Sequence, residues 1–202
     1  MRDSIRIIRK GQMVELRDVA PTATLLDYLR LTERATGTKE GCNEGDCGAC
    51  TVAIGRLRQG RLTYSPVNAC IQLLGQVDGC EIVTVEDLAD ADGTLHPVQK
   101  AMHDAHASQC GFCTPGFVMS LFTLYHSGKA EVDRKQVNDW IAGNLCRCTG
   151  YRPIVEAGLA SMREAGTDRF ANAGGETAGL LDFIVDREDV FIGDDHRFLA
   201  AP

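Results

Sequence analysis

Apolar and polar residues alternate along the first part of the chain, and this alternation predicts strands. Apolar residues recur at every second position within residues 4–16, on either side of Lys10 and Gly11, which predicts a β-hairpin. Three further short runs, β-branched or alternating, follow at residues 50–54, 61–65 and 81–86. Between them, Thr24 begins a capping pattern with leucines on one helical face. Strands packed on one helix predict an α+β domain over residues 1–88.

After about residue 90 the spacing of apolar residues changes from two to 3.6, which predicts helices. Proline in the first helical turn and threonine or aspartate just before it are typical helix starts. Such starts occur at Pro97, Thr114–Pro115, Asp133 and Pro153. Four helices joined by short connections predict a small bundle, which we assign to residues 89–166.

Residues 167–202 show no sustained hydrophobic period. They contain eight acidic and three basic residues, interspersed with glycines and apolar side chains that include Phe191 and Phe198. So many apolar groups are unusual in a solvated tail, although the composition otherwise resembles disordered segments. We therefore expect an acidic, extended linker that lies on a partner or on a following domain.

Composition narrows the class of protein. The 202 residues are 44% hydrophobic and 24% charged, which is ordinary for a globular chain. No run approaches the ~18 apolar residues of a membrane span, and the charged N-terminus lacks the apolar core of a secretory signal. We therefore expect a cytoplasmic protein without a membrane anchor. The net charge of −7 argues against nucleic-acid binding, which selects basic surfaces.

Nine cysteines are unusual for a reducing compartment, where disulfides are rare, so metal binding is the better interpretation. Cys42, Cys47 and Cys50 lie in one glycine-rich loop, and Cys70 follows later in the chain. Together they have the spacing C-x4-C-x2-C…C. This is the plant-type ferredoxin spacing for a 2Fe–2S cluster. Bridging sulfides and four thiolates carry negative charge, so the loop must direct many N–H donors at sulfur. Gly41, Gly45 and Gly48 supply the backbone freedom for such a loop. A glycine-rich turn with buried cysteines and a zinc site are the alternatives.

The second candidate set combines C-x2-C with C-x-C. Cys110 and Cys113 lie between the first and second predicted helices, and Cys146 and Cys148 lie between the third and fourth. An antiparallel bundle brings these junctions to the same end, where helix N-termini favour an electron-rich group. No βαβ unit surrounds the C-x2-C pair, so a thioredoxin-like dithiol does not fit. A four-thiolate zinc site remains an alternative. The ferredoxin-type spacing of the first set nevertheless favours a second iron–sulfur site, because two clusters can form an electron relay.

The other candidate residues form no site in the sequence. Cys80 has no partner left, which predicts a buried, inert thiol. The five histidines are interpreted as exposed and non-ligating: His96, His103, His106, His126 and, in the tail, His196. The chain contains no dinucleotide-binding, Walker A or hydrolase-elbow motif.

Three stretches carry a resemblance to a known family: GTKEGCNEGDCGACTV (37–52), LHPVQKAMHDAHASQCGFCTPGFVMS (95–120) and GNLCRCTGYRPI (143–154). They resemble the two-cluster iron–sulfur portion of the molybdenum hydroxylases, most of all the xanthine dehydrogenases. The resemblance covers about residues 4–165. It implies a plant-ferredoxin-like β-grasp domain, a four-helix bundle that binds 2Fe–2S, and an acidic segment leading towards a flavin domain.

The resemblance also implies a pathway, in which hypoxanthine or xanthine is hydroxylated at a molybdenum–molybdopterin centre. Electrons then pass through two 2Fe–2S clusters to FAD and NAD+. The molybdenum-proximal ligands are Cys110, Cys113, Cys146 and Cys148, and the flavin-proximal ligands are Cys42, Cys47, Cys50 and Cys70. Gln109 and Cys148 match positions that approach the pterin.

The family's catalytic residues match no position of this chain. We therefore expect FAD and molybdopterin on further domains or on partner subunits, in a hetero-oligomer. Aldehyde and carbon monoxide dehydrogenases share the same cluster plan, so they remain alternatives. A free-standing ferredoxin-like carrier and a zinc-stabilised interaction module are alternatives from other classes.

Overall fold

The computed structural model of the protein describes residues 4–129, 131–164 and 168–184. The predicted hairpin forms, with Lys10 and Gly11 at positive φ in its turn. Thr24 caps the first helix by accepting a hydrogen bond from the Asp27 N–H. The elements of this part are β1 (Ser4–Arg9), β2 (Gln12–Arg17), α1 (Leu25–Asp27), a π-helical turn (Tyr28–Thr32), β3 (Thr51–Arg58), β4 (Arg61–Asn68) and β5 (Cys80–Val83).

The five strands form one mixed sheet in the order β2-β1-β5-β3-β4, in which only β1 and β5 pair in parallel. Successive side chains point to opposite faces of a strand, so each strand contributes to two cores. Ile7 packs with the leucines of α1 on one face, while Ile8 lies on the other. The α+β character expected for this part of the chain is confirmed.

Four helices follow the sheet, as the 3.6-residue spacing predicts. They are α2 (Pro97–Asp104), α3 (Thr114–Tyr125), α4 (Arg134–Trp140) and α5 (Arg152–Ser161). Asp133 caps α4 through the Gln136 N–H, as expected. Thr114, however, is the first residue of α3, and Cys113 is its N-cap.

Helix α3 joins the sheet to the other helices. All residues from Gly116 to Tyr125 are buried, as expected for a helix that is apolar on every side. Phe117 and Phe122 belong to a core that also contains Ala53 and Val83 from the sheet. One face of the sheet therefore shares a hydrophobic core with helices α2–α5. This shared core fixes the two cysteine-bearing regions relative to each other.

A sixth helix, α6 (Arg169–Ile184), corrects the prediction of an extended linker. Thr177, Leu181 and Ile184 are buried and follow helical spacing, and the last two pack on Ile8. The glycine-rich, acidic composition makes this short apolar stripe hard to detect in the sequence. The helix forms because the stripe packs on the open face of the sheet. We interpreted the apolar side chains of the tail as contacts made by a linker. Those beyond residue 184 lie outside the described residues, as does His196.

No helix in the described ranges has both the length and the apolar character required to cross a bilayer.

Candidate metal centres

The first cysteine loop directs backbone N–H groups at sulfur. Cys42 Sγ accepts hydrogen bonds from the N–H groups of Asp46 at 3.3 Å and Cys47 at 3.4 Å. Together with the N–H of Glu44, which has the largest effect, these donors lower the pKa of Cys42 to about 7. The loop therefore favours the thiolate, which is the form that binds metal.

The second half of this set is buried at the end of the sheet. Cys50 and Cys70 are buried, and their Sγ atoms lie 3.4 Å apart. Burial raises the pKa of Cys50 to about 12. The Cys50 thiol, with so little access to water, requires a strong electrophile such as iron in order to ionise.

Two glycines of the loop are required for different reasons. Gly48 has φ +69°, a conformation that side chains disfavour. Gly41 is required for space, because a methyl group there would lie 2.9 Å from Cys47 Sγ. The backbone thus fits closely around the sulfur atoms, which is the environment that an iron–sulfur cluster needs.

The second cysteine set comes together at one end of the helices. Burial and contact with the Cys146 thiol raise the pKa of Cys113 to about 12. A hydrogen bond with the Cys110 thiol raises the pKa of Cys148, and both of these residues are exposed. Cys146 Sγ also lies 3.1 Å from the hydroxyl of Thr149. The structure therefore places together the four thiols that the bundle prediction required.

In both sets the sulfurs approach one another in pairs, not as a compact group of four. Within the parts of the chain described here, no three cysteine sulfurs lie within 4.8 Å of one another. A single zinc ion would hold four sulfurs ~2.3 Å from itself, and hence about 3.8 Å from each other. The pairs are Cys42 with Cys47, Cys50 with Cys70, Cys113 with Cys146, and Cys110 with Cys148. Two pairs in each set fit two iron atoms better than one zinc ion.

The loops of the two sets are joined directly by hydrogen bonds. The N–H of Leu145, which precedes Cys146, donates to the Cys47 carbonyl at 2.9 Å. The buried Asn144 side chain donates to the Gly48 carbonyl at 2.9 Å. A methyl group on Gly116 would lie only 2.1 Å from that carbonyl oxygen. The ligand-bearing loops are therefore in direct contact, and small residues permit this.

Gln109 lies at the surface and Cys80 lies in the core. Gln109 is exposed and immediately precedes Cys110, which is exposed as well. Cys80 is buried in β5 among the apolar residues under α1. Burial raises the pKa of its thiol, and its Sγ lies 3.6 Å from the Asp78 carbonyl.

A polar site that the sequence did not reveal lies under the start of α6. Asp168 Oδ2 accepts hydrogen bonds from His96 Nε2 at 2.6 Å and His126 Nε2 at 2.7 Å, while its Oδ1 accepts from the Ala171 N–H. His96 is buried and His126 is nearly so, so the prediction of exposed histidines is wrong for both. No local pattern links these residues, because Asp168 is 72 and 42 positions from the two histidines.

Both ring nitrogens of His96 form hydrogen bonds at this site. His96 Nδ1 accepts from the Val98 N–H, so its Nε2 must carry the proton that it donates to Asp168. Burial raises the pKa of Asp168, but the hydrogen bonds from His126 and then His96 outweigh it and lower the pKa below its ordinary value. The site is therefore a carboxylate that fastens α6 to the beginning of α2 and the end of α3.

Comparison with known proteins identifies relatives for both parts of the chain. Residues 7–71 match the model of a 2Fe-2S iron-sulfur cluster binding domain, and residues 84–159 match that of a [2Fe-2S] binding domain. Aldehyde oxidase 1 of Rattus norvegicus is 45% identical over 158 residues, covering 77% of this chain and 12% of that protein. Xanthine dehydrogenase of Blastobotrys adeninivorans is 48% identical over 139 residues, which cover 68% of this chain and 10% of that protein.

One solved structure contains a chain that this protein matches over nearly the whole length of that chain. A chain of quinoline 2-oxidoreductase from Pseudomonas putida 86 is 36% identical with a TM-score of 0.65, and the match covers 82% of this chain and 95% of that one. By contrast, this chain spans only about a tenth of the curated relatives that it matches.

Proposed function

Because the chain belongs to the iron–sulfur portion of the molybdenum hydroxylase family, we propose that it relays electrons from a molybdopterin centre to a flavin. A 2Fe–2S cluster supplies one-electron redox chemistry, which suits such a relay. The ligands of the first cluster are Cys42, Cys47, Cys50 and Cys70, in a ferredoxin-like β-grasp domain. The ligands of the second cluster are Cys110, Cys113, Cys146 and Cys148, at the end of the helical bundle.

The contact between the two ligand loops is the observation that carries this proposal. Cys47 and Cys146 are ligands of different clusters, yet the backbone hydrogen bond from Leu145 to Cys47 joins their loops directly. The buried amide of Asn144 holds the same junction. A fold that orients two redox groups through a short, rigid connection supports electron exchange between them.

Exposure of the second set supports its position next to a partner. Cys110 and Cys148 are both exposed, and Gln109 stands beside them. A carboxamide and a cluster thiolate together can meet the hydrogen-bonding edge of a pterin. We therefore place the second set against the molybdopterin domain or subunit and the first set towards the flavin, in a cytoplasmic hetero-oligomer.

The substrate that we propose is hypoxanthine or xanthine, with NAD+ as the final acceptor. The motif resemblance favours xanthine dehydrogenases, while aldehyde oxidation is the second candidate because a relative with 45% identity is named an aldehyde oxidase. The test is to purify the enzyme that contains this chain and add each substrate under anaerobic conditions. Bleaching of the clusters by xanthine, and not by aldehydes, is expected; the reverse result would assign the chain to an aldehyde enzyme.

Metal analysis of the anaerobically purified chain tests the two-cluster proposal. Two complete ligand sets predict about four iron and four acid-labile sulfide per chain, with two distinguishable EPR signals after reduction. Stoichiometric zinc would instead indicate an interaction module. A fully loaded chain that exchanges electrons with soluble reductases, but forms no complex with molybdopterin and flavin subunits, would indicate a free-standing carrier.

A further inference from the structure

We propose that Phe112 covers the sulfur of Cys47 and excludes water from the space between the two cysteine sets, thereby lowering the reduction potential of the first cluster. This inference rests on the proposed function. Phe112 belongs to the second set by position, since it lies between Cys110 and Cys113. Its ring nevertheless reaches the loop of the first set.

The close approach at Gly41 shows where the ring lies. A methyl group on Gly41 would be 3.5 Å from Phe112 Cε1 and 2.9 Å from Cys47 Sγ. The ring edge and the sulfur thus both border the space beside Gly41, no more than the sum of these two distances apart. The hydrogen bond from Leu145 brings the other helical loop to the Cys47 carbonyl. Both loops of the second set therefore approach the loop that carries Cys47.

The exposure of Phe112 distinguishes it from a core residue. Its side chain is 47% exposed, whereas Phe117 and Phe122 of the following helix are fully buried. A phenylalanine that contributed only to stability would gain more from complete burial. The half-exposed ring instead lies between solvent and the loop that carries Cys47.

Shielding has a defined electrochemical consequence. Reduction adds negative charge to a cluster that is already anionic, and water stabilises that charge. Solvent exposure and the apolar shell are among the factors that set cluster potentials. Removing the ring is therefore expected to make the potential of the first cluster more positive, because the reduced form gains hydration.

The test uses the full chain with both clusters loaded and the variant Phe112→Ala. We expect four iron per chain to be retained, as in the wild type, and the equilibrium constant for reduction of the first cluster to rise about three- to tenfold, which is ~30 to 60 mV for one electron. Pulsed EPR after exchange into D2O should show stronger deuterium coupling at that cluster. Phe112→Tyr, which keeps the ring, should match the wild type. Phe183→Ala removes an exposed phenylalanine of α6 and serves as the control.

The outcomes separate this inference from the proposed function. An unchanged potential and unchanged deuterium coupling in Phe112→Ala, with all iron retained, would overturn the shielding role alone. Loss of iron from the first set alone would also overturn it, because the ring would then hold the loop in place instead of excluding water. A wild-type chain without two clusters would overturn the proposed function itself.

Discussion

The substitution Asp168→Asn is expected to loosen α6 from the rest of the protein. Asp168 accepts three hydrogen bonds, from His96, His126 and the Ala171 N–H, whereas an amide offers one acceptor oxygen. If that oxygen faces the histidines, the cap of α6 is lost, which costs ~1 kcal/mol. The two remaining bonds lose their charge assistance, at about 1 kcal/mol each. The expected loss is about 3 kcal/mol, a large part of a typical domain stability of ~5–15 kcal/mol.

Hydrogen exchange measured by mass spectrometry reports this loss locally. Peptides from residues 169–184 should lose protection in Asp168→Asn, while those from α3 should change less. Asp182→Asn removes an exposed carboxylate of the same helix and is the matched control, with an expected effect within about 0.5 kcal/mol. Equal protection of α6 in Asp168→Asn and the wild type would refute the reasoning.

The pH dependence gives a second check on the same carboxylate. Its folded pKa is lowered, so it contributes stability above the unfolded value of about 3.9 and loses that contribution as pH falls through the folded pKa. The part of the stability difference between wild type and Asp168→Asn that comes from this carboxylate should therefore shrink as pH falls below about 4. His96 and His126 contact this carboxylate directly and Tyr64 interacts with it electrostatically, and all three are present in both chains. A difference that stays constant as pH falls below about 4 would contradict the assignment to Asp168.

Three further predictions concern the cysteine sets and their junction. Gly116→Ala forces a methyl group against a loop carbonyl and should destabilise the chain by ~1–3 kcal/mol in denaturant unfolding, whereas Gly143→Ala, with open space around it, should not. Cys80→Ala should retain all iron and both EPR signals, while Cys70→Ala should lose the first cluster; the reverse would mean that Cys80 is the fourth ligand. Gln109→Ala should keep all iron but weaken retention of the molybdenum cofactor in the holoenzyme, and unchanged cofactor content and cluster reduction would make Gln109 a scaffold residue.

The cysteine sets were predictable because their chemistry is encoded locally. The ferredoxin spacing of Cys42, Cys47 and Cys50 can be read within nine residues, and a tight loop leaves the thiols few directions in which to point. Convergence of Cys110 and Cys113 with Cys146 and Cys148 followed from the helix starts and the antiparallel order. Which thiols pair with each other was not predictable, because it depends on side-chain directions at the loop ends.

The sequence by itself determined the strands, the four central helices and the cysteine groups, since periodicity, capping residues and cysteine spacing act over short distances along the chain. Only the tertiary structure decided the fate of residues 169–184 and the burial of His96 and His126. The apolar stripe of α6 is too short to stabilise a helix alone, and it gains its stability from the open sheet face that Ile8 helps to form. The Asp168 contacts likewise exist only after distant helix ends meet, because a carboxylate becomes a strong acceptor for two imidazoles when the fold removes all three from water.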